Sequence, residues 1–216
     1  MQRSAVRMIS TADVFSFVNA LFGFISIMFM LKGDFWLAVT FVLLATLSDG
    51  LDGIIARRFY SGNLGESMDS LADIISFFVA PSVIILMSGR YENPVILFAL
   101  SVYLFASLLR LSSFPILKKE DYFDGLPIPA SGIILILLVI INVDLMVLAI
   151  ALLLFSILMV SKVHYPKIDR KMGLVALILI ILVIVARDAL YSIAPLSLLF
   201  ALLIYVVFGP AYLRYF

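Results

Sequence analysis

Eight apolar runs, separated by short polar breaks, occupy most of this 216-residue sequence. They lie near residues 14–31, 35–59, 68–88, 94–113, 128–142, 145–161, 173–187 and 194–212. A helix needs about 20 apolar residues to cross a bilayer, where its backbone must satisfy its own hydrogen bonds. Hydrophobic residues make up 64% of the chain, against about 45–50% in soluble domains. The sequence therefore predicts an all-α integral membrane protein, a polytopic bundle of about eight transmembrane helices. Six spans are the alternative count, because several of the later runs are short.

The basic residues are unevenly divided between the two ends of these helices. With the N-terminus in the cytosol, twelve of the 15 Lys and Arg residues fall on the cytosolic side. Cytosolic loops of membrane proteins carry such an excess of positive charge. The sequence therefore predicts a multi-pass protein of the cytoplasmic membrane with both termini in the cytosol.

Charge and composition exclude several kinds of chemistry. The net charge of +1 gives no electrostatic basis for a nucleic-acid partner. The absence of cysteine excludes disulfides and thiolate metal sites, and one histidine, His164, cannot by itself build a histidine-ligated metal site. Any bound metal ion must therefore have oxygen ligands.

Four aspartates lie at the adjoining ends of the second and third runs. Asp49 and Asp52 are three residues apart, and Asp69 and Asp73 are four residues apart. Each spacing places two carboxylates on one face of a helix. The short connection predicts that the two helices are antiparallel neighbours, so that all four carboxylates point into one cavity.

Such a cluster needs positive charge, because each ionised group in a membrane span costs about 2.5–3.5 kcal/mol. Hard divalent cations prefer carboxylate oxygens, and two of them would neutralise four aspartates. We therefore expect Mg²⁺, Mn²⁺ or Ca²⁺, two per site, in an arrangement suited to in-line displacement at phosphorus. Gly53 would let a ligand approach the backbone, and Arg57 would donate to a phosphate oxygen.

Two other interpretations of the cluster remain. Aspartates at helix ends serve as N-caps, which is the simplest alternative for Asp69 alone. An acidic cluster is also found in cation transporters. Those proteins usually contain internal repeats and bind ions near mid-membrane, whereas this sequence has no evident repeat and groups its aspartates near one face.

The pattern D-x-x-D-G-x-x-A-R…G-x-x-x-D-x-x-x-D, from Asp49 to Asp73, resembles the signature of the CDP-alcohol phosphotransferases. The resemblance implies a six-helix catalytic core around a cytosol-facing cavity, usually in a homodimer. It also implies that an alcohol attacks the lipid-bearing phosphate of a CDP-lipid and that CMP leaves. On this basis, 1–216 is a single membrane domain, with a possible juxtamembrane helix in 1–12, the catalytic core in 13–161 and two additional helices in 162–216.

The same resemblance assigns roles to individual positions. Asp49, Asp52 and Asp69 would ligate metal, and Asp73 would both ligate metal and act as the general base. The CDP-lipid, CDP-diacylglycerol or CDP-archaeol, would contact a set of small and polar residues. They are Asn19, Gly53, Arg57, Ser61 and Asn63.

A second motif concerns the acceptor alcohol. The run Y-F-x-G-L-P-x-P-A-S over 122–131, preceded by Arg110, resembles the phosphatidylserine synthase branch of the family and its archaeal equivalent. L-serine would then be the acceptor, with Arg110, Lys118 and Lys119 as cations for its carboxylate. Glycerol phosphate and inositol phosphate are alternative acceptors, since these cations would also bind a phosphate.

Overall fold

The computed structural model describes residues 10–56, 65–90, 93–117, 122–167, 169–186 and 193–215. Its α-helices are α1 (Thr11–Leu31), α2 (Phe35–Ala56), α3 (Gly65–Asp73), α4 (Ala80–Ile85), α5 (Pro94–Leu117), α6 (Ile128–Ile140), α7 (Leu145–Val160), α8 (Arg170–Val185) and α9 (Ile193–Tyr215). Two π-helical segments, Ile74–Val79 and Leu86–Arg90, adjoin α4, and two short strands are β1 (Tyr122–Asp124) and β2 (His164–Pro166). With the π-helical turns, α3 and α4 form one continuous helix, the third span (Gly65–Gly89).

Each of the eight predicted apolar runs corresponds to a helical segment, and the prediction of an all-α membrane protein is confirmed. Within the described residues, four helices are long and apolar enough to cross a bilayer: Asp13–Leu31, Gly65–Gly89, Pro94–Ser113 and Ile193–Tyr212. Four further apolar helices are shorter. Large apolar side chains face outward, as lipid contact requires. Phe98 and Phe105, for example, are each 65% exposed in the isolated chain.

The first helix begins slightly earlier than its apolar run. Ser10 is the N-cap of α1: its backbone N–H donates to Asp13 Oδ2 (2.7 Å), and the Asp13 N–H donates to Ser10 Oγ (3.4 Å). This reciprocal capping box satisfies backbone groups that a helix end would otherwise leave unpaired. Residues 11 and 12, predicted to belong to a juxtamembrane helix, are therefore part of α1, and residues 1–9 lie outside the described part.

The chain divides into two compact units, residues 1–84 and 85–216. In the first unit, α1 packs along α2 and along α3 with the π-helical segment Ile74–Val79. The Phe41 ring of α2 lies against two rings of α1, Phe22 at 5.8 Å and Phe29 at 5.4 Å between centroids. The predicted pairing of the second and third helices is thus mediated largely by α1. In the second unit, α5 packs against α7, and α9 packs against α6, α8 and β2.

Two of the polar breaks between the apolar runs, 114–126 and 162–172, contain structure that the apolar pattern did not reveal. Helix α5 continues to Leu117, and β1 pairs antiparallel with β2, with Phe123 opposite Tyr165. The two strands are joined at their ends, where Gly125 (φ +79°) donates its N–H to the carbonyl of Val163 (2.8 Å). Strands of three residues are too short to show an alternating pattern, which explains why they were missed. The half-exposed His164 lies 3.2 Å from Asp124 Oδ1 through Nε2.

Candidate metal centre

Three of the four predicted aspartates converge in the first unit. Asp49 near the C-terminal end of α2, Asp69 in α3 and Asp73 at the end of α3 each offer a carboxylate oxygen, and these oxygens lie within 4.8 Å of one another. Asp73 is 7% exposed, whereas Asp49 and Asp69 are half-buried. Residues 24 positions apart in the sequence, Asp49 and Asp73, thus share one site, as the spacing predicted.

Hydrogen bonds between helices fix the register that brings Asp49 to this place. Ser48 Oγ donates to the carbonyl of Phe15 (2.9 Å), and Ser26 Oγ donates to the carbonyl of Ala38 (2.7 Å). Both bonds join α1 to α2, and together they define an antiparallel alignment along almost the whole length of the two helices. Because Asp49 follows Ser48 directly, the bond to Phe15 also sets the height of its carboxylate.

The third span is also held against α1 by hydrogen bonds. Ser76 Oγ donates to the carbonyl of Asn19 (2.8 Å), and the Asn19 side-chain amide donates to Asp73 Oδ1 (3.1 Å). Gly23 permits the close approach: a Cβ there would lie 2.8 Å from the Ser76 Cα. Asn19 was predicted to contact the CDP-lipid. The structure places its amide nitrogen on the buried carboxylate of Asp73.

The three carboxylates fit a divalent cation. Ca²⁺ binds oxygen at about 2.3–2.6 Å, so two ligand oxygens on opposite sides of the ion are about 4.6–5.2 Å apart. Oxygens within 4.8 Å of one another are close enough for small side-chain rotations to bring all three onto one Ca²⁺, and slightly larger ones would suit the shorter bonds of Mg²⁺. The donor set consists of hard anionic oxygens, which favour these ions and Mn²⁺ over softer metals. The aspartate triad can bind a metal ion.

Several predicted site residues lie beyond what the structure describes. Asp52 and Gly53 belong to α2, but their side-chain surroundings are outside the described part. The other such residues lie in the segments 57–64 and 118–121. They are Arg57, Ser61, Asn63, Lys118 and Lys119.

Arg110, predicted to bind the acceptor carboxylate, is buried in the second unit at 8% exposure. It lies within α5, close to Tyr205 of α9. The Tyr205 hydroxyl donates to the carbonyl of Pro166 (3.0 Å), and its ring lies 5.7 Å from that of Tyr165. Burial raises the pKa of the Tyr165 hydroxyl above its usual 10, so this group stays protonated near neutral pH. Nothing in the residue pattern indicated that α9 and β2 would meet close to Arg110.

Two polar residues of the first unit, Asp13 and Ser76, are fully buried and were not predicted as site residues. Asp13 lies on the same face of α1 as Ser16 and Asn19, which follow it at intervals of three residues. This periodicity is a signal that could have been found. No signal of that kind marks Ser76, since its role depends on the neighbour it meets.

The fold and the aspartate cluster define a polytopic all-α membrane protein with a carboxylate site that can bind divalent metal. The chain belongs to the CDP-alcohol phosphatidyltransferase family, whose model matches residues 9–208. It is therefore an enzyme of the CDP-alcohol phosphotransferase type, a class that uses divalent cations.

Three relatives illustrate where in the family the similarity lies. An archaetidylserine synthase of Methanothermobacter thermautotrophicus is 34% identical over 169 residues, which cover 74% of this chain and 71% of that protein. A CDP-diacylglycerol–serine O-phosphatidyltransferase of Methanocaldococcus jannaschii is 28% identical, covering 76% of this chain and 78% of the relative. An enzyme of the same name from Helicobacter pylori is 29% identical, covering 91% of this chain and 88% of the relative.

Proposed function

We propose that this enzyme transfers the phosphatidyl or archaetidyl group of a CDP-lipid to the hydroxyl of L-serine and releases CMP. The names of its relatives, archaetidylserine synthase and CDP-diacylglycerol–serine O-phosphatidyltransferase, support serine as the acceptor. The observation that carries the mechanism is the convergence of Asp49, Asp69 and Asp73 within 4.8 Å in a member of this family.

In the proposed reaction the serine hydroxyl oxygen attacks the phosphorus that carries the lipid. A phosphorus–oxygen bond to serine forms, and the bond from that phosphorus to the bridging pyrophosphate oxygen breaks. CMP leaves with the electron pair of the broken bond. Asp73 accepts the proton of the serine hydroxyl, which a carboxylate does efficiently only at hydrogen-bond distance and in a suitable orientation.

Divalent cations held by Asp49, Asp52, Asp69 and Asp73, two per site, would offset the charge of the pyrophosphate and of the departing CMP. The chain's other polar groups would bind and orient the donor substrate. Gly53 and Arg57 would contact the CDP moiety, with Arg57 at the pyrophosphate, and Ser61 and Asn63 would face the cytidine.

For the acceptor, we propose that Arg110 binds the serine carboxylate, with Lys118 and Lys119 as further cations. A guanidinium can bind a carboxylate through two parallel hydrogen bonds, and burial strengthens such a pair because less water competes. We further propose that the site opens to the cytosolic side of the cytoplasmic membrane, where most basic residues are predicted to lie, and that the enzyme is a homodimer.

The direct test measures CMP release by the purified protein supplied with CDP-diacylglycerol or CDP-archaeol and a divalent cation. L-serine, glycerol 3-phosphate and inositol phosphate are offered in separate reactions, and radiolabelled serine reports the lipid product. We expect CMP release and lipid labelling that require both serine and the cation. Release with a phosphorylated alcohol but not with serine would show that the acceptor is wrong, and release with no alcohol in the panel would refute the proposal.

A further inference from the structure

The side chain of Asn19 is directed from α1 into the aspartate site. It is completely buried, and its amide nitrogen donates to Asp73 Oδ1 at 3.1 Å, across 54 residues of sequence. This distance is within the normal range for an N–H···O hydrogen bond. The bond therefore links α1 directly to the carboxylate that we propose as the general base.

The direction of the amide is set by that carboxylate. Asn19 Oδ1 is buried and has no hydrogen-bond partner within the described part of the chain. Turning the amide over would place this oxygen against the oxygen of Asp73, two acceptors facing each other. The amide nitrogen of Asn19 therefore faces Asp73, although the amide oxygen gains no hydrogen bond within the described residues from this orientation.

The backbone around this pair is fixed on both helices. The carbonyl of Asn19 accepts a hydrogen bond from Ser76 (2.8 Å), and Gly23, one turn later, lets the third span approach α1 closely. A π-helical segment, Ile74–Val79, starts immediately after Asp73. Such turns are rare and occur often at functional sites. The amide and the carboxylate therefore meet between two anchored backbones and not at the ends of mobile side chains.

We propose that Asn19 is a positioning residue for Asp73: its amide fixes the rotation of the carboxylate so that it can accept the proton of the acceptor alcohol. The inference rests on the proposed function of Asp73, and it is separate from the CDP-lipid contact that the sequence predicts for Asn19. Partners that orient a reactive carboxylate act through its geometry, and their removal typically costs about 10–100-fold.

The test compares Asn19→Ala and Asn19→Leu with the wild-type enzyme, measuring kcat and the KM for CDP-lipid. Leucine has nearly the same shape as asparagine, but it has no hydrogen-bond donor. We expect both variants to lower kcat by about 10–100-fold while the KM for CDP-lipid changes by less than about threefold. Binding of Mn²⁺ alone, measured without substrates, is expected to persist in both variants.

Ser156→Ala is the control, because Ser156 is a buried polar residue of α7 whose hydroxyl donates to the carbonyl of Leu152 in its own helix. It should retain kcat. A raised KM with unchanged kcat would show that Asn19 contacts the CDP-lipid, and full kcat in Asn19→Leu would exclude a role for the donor. Either result overturns the inference. Failure of the wild-type enzyme to release CMP would instead contradict the proposed function.

Discussion

The two compact units differ in what their buried polar groups bond to. In the first unit, these groups mostly bond between helices: Ser48 and Ser26 join α1 to α2, and Asn19 bonds to the third span. In the second unit, buried hydroxyls mostly turn back on their own helix. Ser107 bonds to the carbonyl of Tyr103 and Ser156 to that of Leu152, in both cases four residues earlier.

The difference shows how a membrane bundle can hold a reactive site in place. Lipid contributes little hydrophobic drive between helices, so close packing and interhelical hydrogen bonds determine their alignment. A hydroxyl that bonds within its own helix has its hydrogen bond, but it does not align that helix with a neighbouring helix. Among its described residues, the second unit also has interhelical contacts: the Tyr103 and Ser131 hydroxyls are 2.8 Å apart, and Ser107 Oγ lies 3.9 Å from Met159 Sδ of α7. The first unit, which carries the aspartates, is the one in which alignment is specified in detail.

The largest effect on activity is expected at Asp73, in the first unit. Asp73→Asn removes the proposed base and one negative charge, and we expect kcat to fall by about 10²–10⁴-fold while CDP-lipid binding largely survives. Asp34→Asn is the control: Asp34 is an exposed residue that caps the start of α2 through the N–H of Leu37, and asparagine caps equally well. Unchanged turnover in Asp73→Asn would refute the general-base role.

A second large effect is expected on metal binding. Asp49→Asn leaves a neutral oxygen beside Asp69 and Asp73, and it should weaken Mn²⁺ binding by about tenfold or more, since removing a neighbour of a ligand already costs about 10–100-fold. Equilibrium titration of the purified protein with Mn²⁺ measures this. Asp144→Asn, in an N-cap of the second unit, should bind Mn²⁺ normally. Equal affinity in Asp49→Asn and the wild type would mean that Asp49 is not a ligand.

Close packing in the first unit can be tested with two glycines. In Gly23→Ala the new Cβ would lie 2.8 Å from the Ser76 Cα, and such overpacking costs about 1–3 kcal/mol. A Cβ added at Gly50 would meet no described atom within 4 Å, so Gly50→Ala should keep or slightly raise stability, since alanine favours helix by about 1 kcal/mol. Thermal unfolding in detergent compares the two. Equal stability would mean that α1 and the third span are not in close contact at Gly23.

The smallest effect concerns single serines and bears directly on the contrast between the units. Ser48→Ala removes a bond between α1 and α2 and should cost about 0.5–1.5 kcal/mol, whereas Ser156→Ala removes a bond within α7 and should change stability by less than about 0.5 kcal/mol. The same unfolding assay applies. If Ser156→Ala were the more costly change, buried hydroxyls of the second unit would matter more than their intrahelical bonding suggests.

The helical architecture was largely predictable, because a membrane span is defined by local properties: its length and its apolar composition. Spacing also predicted that Asp69 and Asp73 would share a helical face, and the short connection after Asp49 predicted that it would join them. The pairing of β1 with β2 could not be predicted in this way. It depends on two polar segments about 40 residues apart, Tyr122–Asp124 and His164–Pro166, meeting in space.

The sequence by itself determined the class of fold, the family and the set of acidic residues that can hold a metal ion. The tertiary structure alone decided that Asn19 meets Asp73 and that Ser76 meets Asn19. Helical periodicity reports which side of a helix a residue occupies, but the partner on that side follows from how each helix is rotated and shifted against its neighbour. That choice results from the packing of Gly23 and the hydrogen bonds between helices, and it cannot be obtained from the spacing of residues along one helix.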